Sequence, residues 1–400
     1  LAVLVSKLPV RFTSSLSRLA LYVLLTLPFG SAQARNGDTL QLFLTYSLSQ
    51  DSNIYRTASN EQSDVYHMLG AGLLFDWKQS RQQITGRLSA NTTRFAEQSE
   101  LDFDGYDGQA QWNWQLGNRL SGQLGYAASR SLGSFVDYTG GLVPNTVDRS
   151  RKFVNGSYLF HPRWRVNGML DSDTLEYGAV SQQASNRTLD AGEIGVDYLT
   201  PKGSRLGLFA RKTDGKYPNR QVVLLSTVDN SFEQQDFGLR AYWAYDGKLT
   251  LSGRAGQTRR KHDEVPERDF TGITGRIDAT WKVTEKLRIG SAIYRDIGAV
   301  DDVYANYSVN DGIRFTPSWQ ISSRFQLDAK AYVERRSFEG DPFLIGIERE
   351  DDAHGFGLTL SYQPRDWANL GVSWESGSRE SNLENDYSYQ FFSLSAQLVF

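Results

Sequence analysis

From Thr39 to Phe400, apolar and polar residues alternate with period two, and no stretch repeats with the 3.6-residue period of a helix. In a strand, side chains two apart share a face and neighbours point to opposite faces. Such a chain is expected to form a sheet with one apolar and one polar face. Leu40, Leu42, Leu44, Tyr46 and Leu48 oppose Gln41, Thr45, Ser47 and Ser49. Ala110, Trp112, Trp114 and Leu116 oppose Gln109, Gln111, Asn113 and Gln115. Leu239, Ala241, Trp243 and Tyr245 run against Arg240, Tyr242 and Asp246, and Ile273, Ile277, Ala279, Trp281 and Val283 against Thr274, Arg276, Asp278, Thr280 and Lys282.

Short turn signals divide this pattern into hairpins at 78–81, 117–118, 161–163, 201–203, 246–247, 284–286, 320–322 and 364–366. They recur every 36 to 45 residues. Longer polar connections lie between them, among them 133–149, 217–231 and 339–352. Short turns alternating with long loops is the asymmetry of a barrel in the outer membrane, with periplasmic turns and extracellular loops. A strand on each side of every short turn, plus Thr39 to Ser49 and Tyr387 to Phe400 as a closing pair, makes about 18 strands, with 16 as the nearest alternative. The fold expected is all-β: a transmembrane, antiparallel, up-and-down β-barrel over 35–400.

Composition agrees with one large sheet. There are 20 Tyr, 21 Phe and 36 Gly against 10 Pro, and no long Pro- or Ser-rich linker interrupts the chain. The mean hydropathy of -0.46 is compatible with a membrane barrel, which shows lipid only alternate residues and keeps a polar lumen. The absence of cysteine suits passage through an oxidising compartment and excludes thiolate chemistry. A net charge of -3 lacks the basic excess of a nucleic-acid binder.

At the start, Lys7, Arg11 and Arg18 precede an uncharged stretch that closes with Ala32-Gln33-Ala34, the pattern of a secretory signal peptide over 1–34. Its apolar core, Leu19 to Phe29, is about half of the roughly 20 residues a spanning helix needs. A membrane anchor is the alternative. Eight of the nine tryptophans, all but Trp374, sit near a proposed short turn, as a girdle at one membrane interface requires. The competing reading is the core of a soluble β-sandwich. The last strand places Phe392, Leu394, Ala396, Leu398 and Phe400 on one face. An apolar edge strand invites aggregation unless something pairs with it. Phe392, Leu394, Leu398 and the terminal Phe400 resemble the signal read by the bacterial barrel-assembly machinery, an expected partner beside outer-membrane lipid and lipopolysaccharide.

Candidate catalytic groups are sparse. His67, His161, His262 and His354 fall on different hairpins, and no HExxH, GxSxG or phosphate-binding glycine loop occurs, so no catalytic residue and no cofactor is assigned. Acidic residues cluster at Asp301-Asp302, at Glu348, Glu350, Asp351 and Asp352, and at Glu384 and Asp386, where a solvated loop is favoured over a Ca²⁺ or Mg²⁺ site for want of ligand spacing. Arg87, Arg240, Arg254, Arg276, Asp278, Arg288, Asp328, Lys330 and Glu334 stand on the polar faces of their strands. A lipid-facing Arg or Lys costs about 2 to 4 kcal/mol near the bilayer midplane, so these nine are expected to face the lumen. Mixed signs there would suit neutral, hydroxyl-rich or zwitterionic solutes, or pair across strands and stiffen the wall.

The segment Asp51-Ser52-Asn53-Ile54-Tyr55-Arg56 resembles the D-x-N-[IL]-[YF]-R signature of outer-membrane porins from polysaccharide operons. Residues 66–76 (YHMLGAGLLFD) and 112–122 (WNWQLGNRLSG) look like the EpsL-type outer-membrane protein of exopolysaccharide biosynthesis operons, the group associated with exosortase and PEP-CTERM systems. Ser52 departs from the Asp or Asn common at that position. The resemblance implies a barrel that takes part in export or assembly of an exopolysaccharide beside other polysaccharide-export proteins, and it transfers no catalytic residue. A general or substrate-selective porin for small solutes shares every architectural feature, as does a scaffold with a plugged lumen.

Overall fold

The computed structural model describes residues 39–136, 144–223, 226–299, 307–339, 348–383 and 386–400. The signal peptide expected over 1–34, and Asp301, Asp302 and Glu384, lie outside the described residues. The first strands are β1 (Leu40–Asp51), β2 (Asp64–Gln79), β3 (Gln82–Phe95), β4 (Phe103–Leu116), β5 (Leu120–Leu132) and β6 (Thr146–His161). Next come β7 (Trp164–Tyr177), β8 (Arg187–Leu199), β9 (Arg205–Lys216), β10 (Gln221–Val223), β11 (Ser226–Val228), β12 (Phe232–Tyr245) and β13 (Leu249–His262). The last are β14 (Phe270–Lys282), β15 (Leu287–Ala299), β16 (Tyr307–Gln320), β17 (Phe325–Glu339), β18 (Arg349–Arg365), β19 (Ala368–Ser381) and β20 (Tyr387–Val399).

Each barrel strand pairs antiparallel with its chain neighbours, β9 passes directly to β12, and β1 pairs with β20 from Phe43↔Val399 to Asp51↔Phe391. Eighteen strands therefore close on themselves, and β10 and β11 form a separate ribbon within the connection 217–231. Closure matters because lipid offers no hydrogen bonds, so an open edge would strand its N–H and C=O groups. Strands about 4.8 Å apart and tilted about 40° make such a ring roughly 36 Å across.

At one end the eight short connections have two to five residues, and the long ones occupy the other. Asp246 and Gly247 both take positive φ, 49° and 65°, and the Lys248 amide donates to the Tyr245 carbonyl at 3.1 Å. That is the type I′ geometry whose twist matches the flanking strands. Several segments differ from the sequence expectation, among them His161 and Gln320, which end β6 and β16, and residues 146–149, which begin β6. Lys78 and Gln79 belong to β2 rather than to a turn. Pro364 lies inside β18, where a register shift between Tyr362 and Arg365 accommodates a residue with no N–H to give. Glu350, Asp351 and Asp352 extend β18 instead of lying in a loop.

The outward face is apolar and exposed along the middle of the wall, as at Leu88, Leu170, Ile194, Leu239, Ile277 and Ile313. Trp77, Trp112, Trp164, Trp243, Trp281 and Trp319 are exposed on that face near the short-turn end and form one interfacial girdle. The inward face has its own packing rule. Aromatic rings lie flat against cross-strand glycines, with a cation over the ring. Phe43 covers Gly72 beneath Arg87, whose guanidinium carbon is 4.4 Å from the ring centroid. Phe232 covers Gly215 beneath Arg260, Tyr294 covers Gly312 beneath Arg276, and Tyr389 covers Gly377 beneath Arg56. A side chain at Gly72 would occupy the same space as the Phe43 ring, so only glycine lets the ring lie down.

The segment Asp51 to Arg56 ties the seam between the first and last strands at the long-loop end. Asp51 accepts from both terminal nitrogens of Arg56 at 2.8 Å and from the Asn53 amide at 3.0 Å. Asn53, fully buried, donates to the carbonyls of Thr57 (2.8 Å) and of Ser388 on β20 (3.0 Å). The Ser52 amide donates to the Gln390 carbonyl, and the Ser52 hydroxyl accepts from the Gln390 amide at 2.8 Å. Arg56 then stacks 3.9 Å over Tyr389, whose hydroxyl donates to Glu375 on β19 at 2.6 Å. Tyr55 packs edge-on against Phe135 and donates to Glu100 at 2.8 Å; burial and that hydrogen bond push its hydroxyl up to about 12. Arg56 holds φ at 55°, a conformation costing about 1 to 2 kcal/mol that these contacts offset. Arg56→Ala should therefore destabilise the barrel by about 3 kcal/mol, because Asp51 keeps a buried charge without its counter-ion. The measurement is the temperature at which the heat-modifiable gel band converts to the unfolded one.

Candidate functional site

Cross-strand register places all nine charged residues singled out above on the inward face, the face that carries Phe43. Side chains on this face reach one another across several strands, which only the concave side of a curved sheet permits. Arg240 on β12, for example, contacts Asn167 on β7.

The register brings three of the nine together. Arg240 pairs with Arg254, and Arg254 pairs with Arg276. Like charges directly opposite repel, so this row exists only because carboxylates from other strands answer it. The Arg240 Nε donates to Asp197 at 2.8 Å and one terminal nitrogen to Glu193 at 2.9 Å. Glu193 also faces Arg254 at 3.4 Å and Arg211 at 3.9 Å, while Asp197 takes a second guanidinium, Arg165, at 2.7 Å. Four cations thus share two carboxylates on the β7–β13 wall. Arg276 is held by Asp278, two residues along its own strand, at 2.8 Å. Gly195 supplies the room, since a Cβ there would run into the Arg240 guanidinium.

The remaining candidates stand elsewhere. On β17, Asp328 accepts from Gln326, Lys330 lies 3.4 Å from Glu375, and Glu334 accepts from Tyr294 and Arg336. Arg87 is 3.9 Å from Asp107 on the β3–β4 wall. Arg288 is near the short-turn end, between Lys282 and Ser318. Reading the sequence missed Arg165, Glu193, Asp197 and Arg211, although Glu193, Gly195 and Asp197 alternate with Ile194, Val196 and Tyr198 in the same period-two pattern. The signs on this wall are mixed: five guanidiniums, of Arg165, Arg211, Arg240, Arg254 and Arg276, stand with four carboxylates, of Glu193, Asp197, Asp236 and Asp278. Of the loop acids, Asp351 is buried between Arg349 (2.7 Å) and Arg379 (3.5 Å), and Asp352 pairs with Arg335. No group of three ligating residues occurs among the described residues.

The closed 18-stranded sheet, its apolar outer band and its charged lumen define a multi-pass β-barrel of the outer membrane. No protein-family model matches the sequence, and no curated protein matches it. Among solved structures, OccK2 (OpdF) of Pseudomonas aeruginosa is similar at 10% identity and a TM-score of 0.50, covering 90% of this chain and 98% of that one. OccK9 (OpdG) of the same organism has 13% identity and a TM-score of 0.48, covering 90% and 98%. A BenF-like porin from Pseudomonas fluorescens has 8% identity and a TM-score of 0.49, also covering 90% and 98%. What is shared at such identities is the fold of an outer-membrane porin.

Asp197→Asn keeps the shape of the side chain but leaves Arg165 and Arg240 without their shared charge. The expected loss is about 2 kcal/mol, after discounting for the partial exposure of both arginines. Asp328→Asn, whose partner is the neutral Gln326, should lose less than half as much; urea unfolding midpoints of the two variants decide this.

Proposed function

We propose that the barrel is an outer-membrane channel for small polar solutes with a preference for anions. The observation that carries this reading is the Arg240–Arg254–Arg276 row, set with Arg165 and Arg211 against fewer carboxylates on one wall of the lumen. In a confined aqueous space with low-dielectric walls, surplus charge of one sign concentrates the opposite ion. Guanidinium adds a forked donor geometry that suits carboxylates and phosphates.

Export of an exopolysaccharide, implied by the resemblance at Asp51 to Arg56, is the second reading. The contacts of that segment favour a role in closing the barrel over one in handling a polymer. A neutral glycan chain would gain from open aromatic faces to stack on, and the inward rings of Phe43, Phe232 and Tyr294 have glycine on one side and a guanidinium on the other. An anionic polymer suits the same wall as a small anion.

In planar bilayers under a KCl gradient, the purified protein should show steady conductance with chloride favoured over potassium severalfold. Arg254→Gln with Arg276→Gln should bring that ratio towards one. A cation-selective pore, or a folded barrel with no conductance, would remove this reading in favour of the second.

A further inference from the structure

The β14–β15 ladder joins Gly275–Lys282 to Arg288–Arg295 through eight pairs, and beyond it the two strands part. Phe270–Thr274 stay with β13, while Asp296–Ala299 stay with β16. Above the split, Tyr307 and Val309, each 1% exposed, pack with Ile297 against Phe270, an inward-facing residue of β14. Arg260, inward-facing on β13, lies 5.6 Å from the Tyr307 ring. The top of β15 and β16 therefore overlaps the inner surface of β13 and β14. Below the overlap lies a recess of about 320 Å³ that Arg211, Asp236, Arg254, Thr258, Thr274 and Arg276 help to line.

Of the polar groups that line this recess, Arg276 and Arg295 are paired with Asp278 and Asp311, Asp296 accepts from Asn310, and Gln234 bridges Asp236 and Arg260; the others form two sets. Arg211 and Arg254 depend on Glu193 at 3.9 and 3.4 Å, a carboxylate already held by Arg240 at 2.9 Å, so both keep donors for an anion. The second set offers acceptors. The Thr258 hydroxyl donates its one proton to Asp236 at 2.5 Å. Thr274, 2.7 Å from Thr258, must then donate to it, which leaves lone pairs on Thr274 and on Asp236 for an incoming O–H. No aromatic face is on offer, because Phe209 is buried with the Arg254 guanidinium 4.2 Å over its ring.

We infer that this recess is a binding site for a monosaccharide-sized hydroxy acid, such as a uronate or aldonate, with the carboxylate on Arg211 and Arg254 and the hydroxyls on Asp236 and Thr274. This deepens, and rests on, the reading of the barrel as an anion-preferring channel. The volume is at the small end of ligand sites and suits a single sugar acid. A carboxylate alone answers the arginines and makes no use of the lone pairs left on Thr274 and on Asp236, which already accepts from Thr258 and Gln234, and a neutral sugar does the reverse. Contacts made with both sets at once are what separate a hydroxy acid from the other two ligands.

The test is galacturonate against benzoate and galactose, added to the full-length protein in bilayers and, in parallel, titrated calorimetrically into detergent-solubilised barrel whose fold is checked by heat-modifiable mobility. Galacturonate should interrupt the current and bind at least about tenfold more tightly than either control, a margin of one order in the dissociation constant. Thr274→Val should weaken galacturonate severalfold and leave benzoate unchanged, and Arg254→Gln should weaken both acids, with Arg254→Lys retaining part of the affinity. Equal binding of benzoate and galacturonate, or galacturonate binding indifferent to Thr274 and Arg254, would overturn the site while an anion-selective conductance left the channel reading intact. Calorimetric binding without conductance would support the site and count against the channel.

Discussion

Hydrocarbon cannot hydrogen-bond, and every other property of this chain is arranged around that fact. A sheet in lipid must return to its own first strand. Here β1 meets β20, and the pairing is continued past the strand by mutual hydrogen bonds between Leu42 and Phe400. The two ends of the seam are held differently. At the short-turn end the backbone of the terminal residue does the work. At the long-loop end it is a side-chain knot in which Asn53 and Asp51 replace the missing ladder with buried polar contacts. Such a knot tolerates little change, because partial satisfaction of a buried network costs more than an apolar contact would.

Closure creates an interior too wide for the strands' own side chains to fill, and the inward face addresses it with two materials. Rings laid over glycines thicken the wall without filling the bore, and arginines over those rings keep the surface wet. Charge is then distributed by strand, not by residue. The β7–β14 wall collects guanidiniums that share carboxylates, whereas Lys330 and Glu334 on β17 are each matched by a near neighbour. In the proposed channel, solute selection would depend on which strands carry surplus charge, and the net charge of the molecule says little about it.

Strand number, hairpin positions and inward orientation were legible because period-two patterning and turn chemistry are local. Asp246-Gly247 could be read directly as a tight turn, and Arg254 and Arg276 as inward-facing from their polar neighbours. The row they form could not be read. It depends on register between strands, which is set by turn length and bulges such as the one at Tyr362 to Arg365. Nor could the sharing of Glu193 by arginines on β9, β12 and β13 be seen, since it crosses strands that never pair with β8 except β9. The D-x-N-x-x-R likeness fell on a segment that holds the seam of the barrel, and its contacts emerge only when β20 lies beside it. Glu350 to Asp352 were misplaced for the converse reason: acidic composition resembles a loop, and here outward Asp352 on a strand is balanced by Arg335.

The eight-pair ladder between β14 and β15 is the shortest contact between neighbouring barrel strands, against fourteen for β2–β3 and for β12–β13. Fewer backbone bonds there mean a lower local opening free energy than the rest of the cylinder. Mechanically, this is where the wall would part first under lateral strain, resisted beyond the ladder by the packing of Tyr307 and Val309 on Phe270, by the Tyr307 hydroxyl on the Asp269 carbonyl and by Arg260 beside the Tyr307 ring. A bilayer under tension or a thinning membrane would therefore be felt at one place on the circumference, and that place is beside the arginine row.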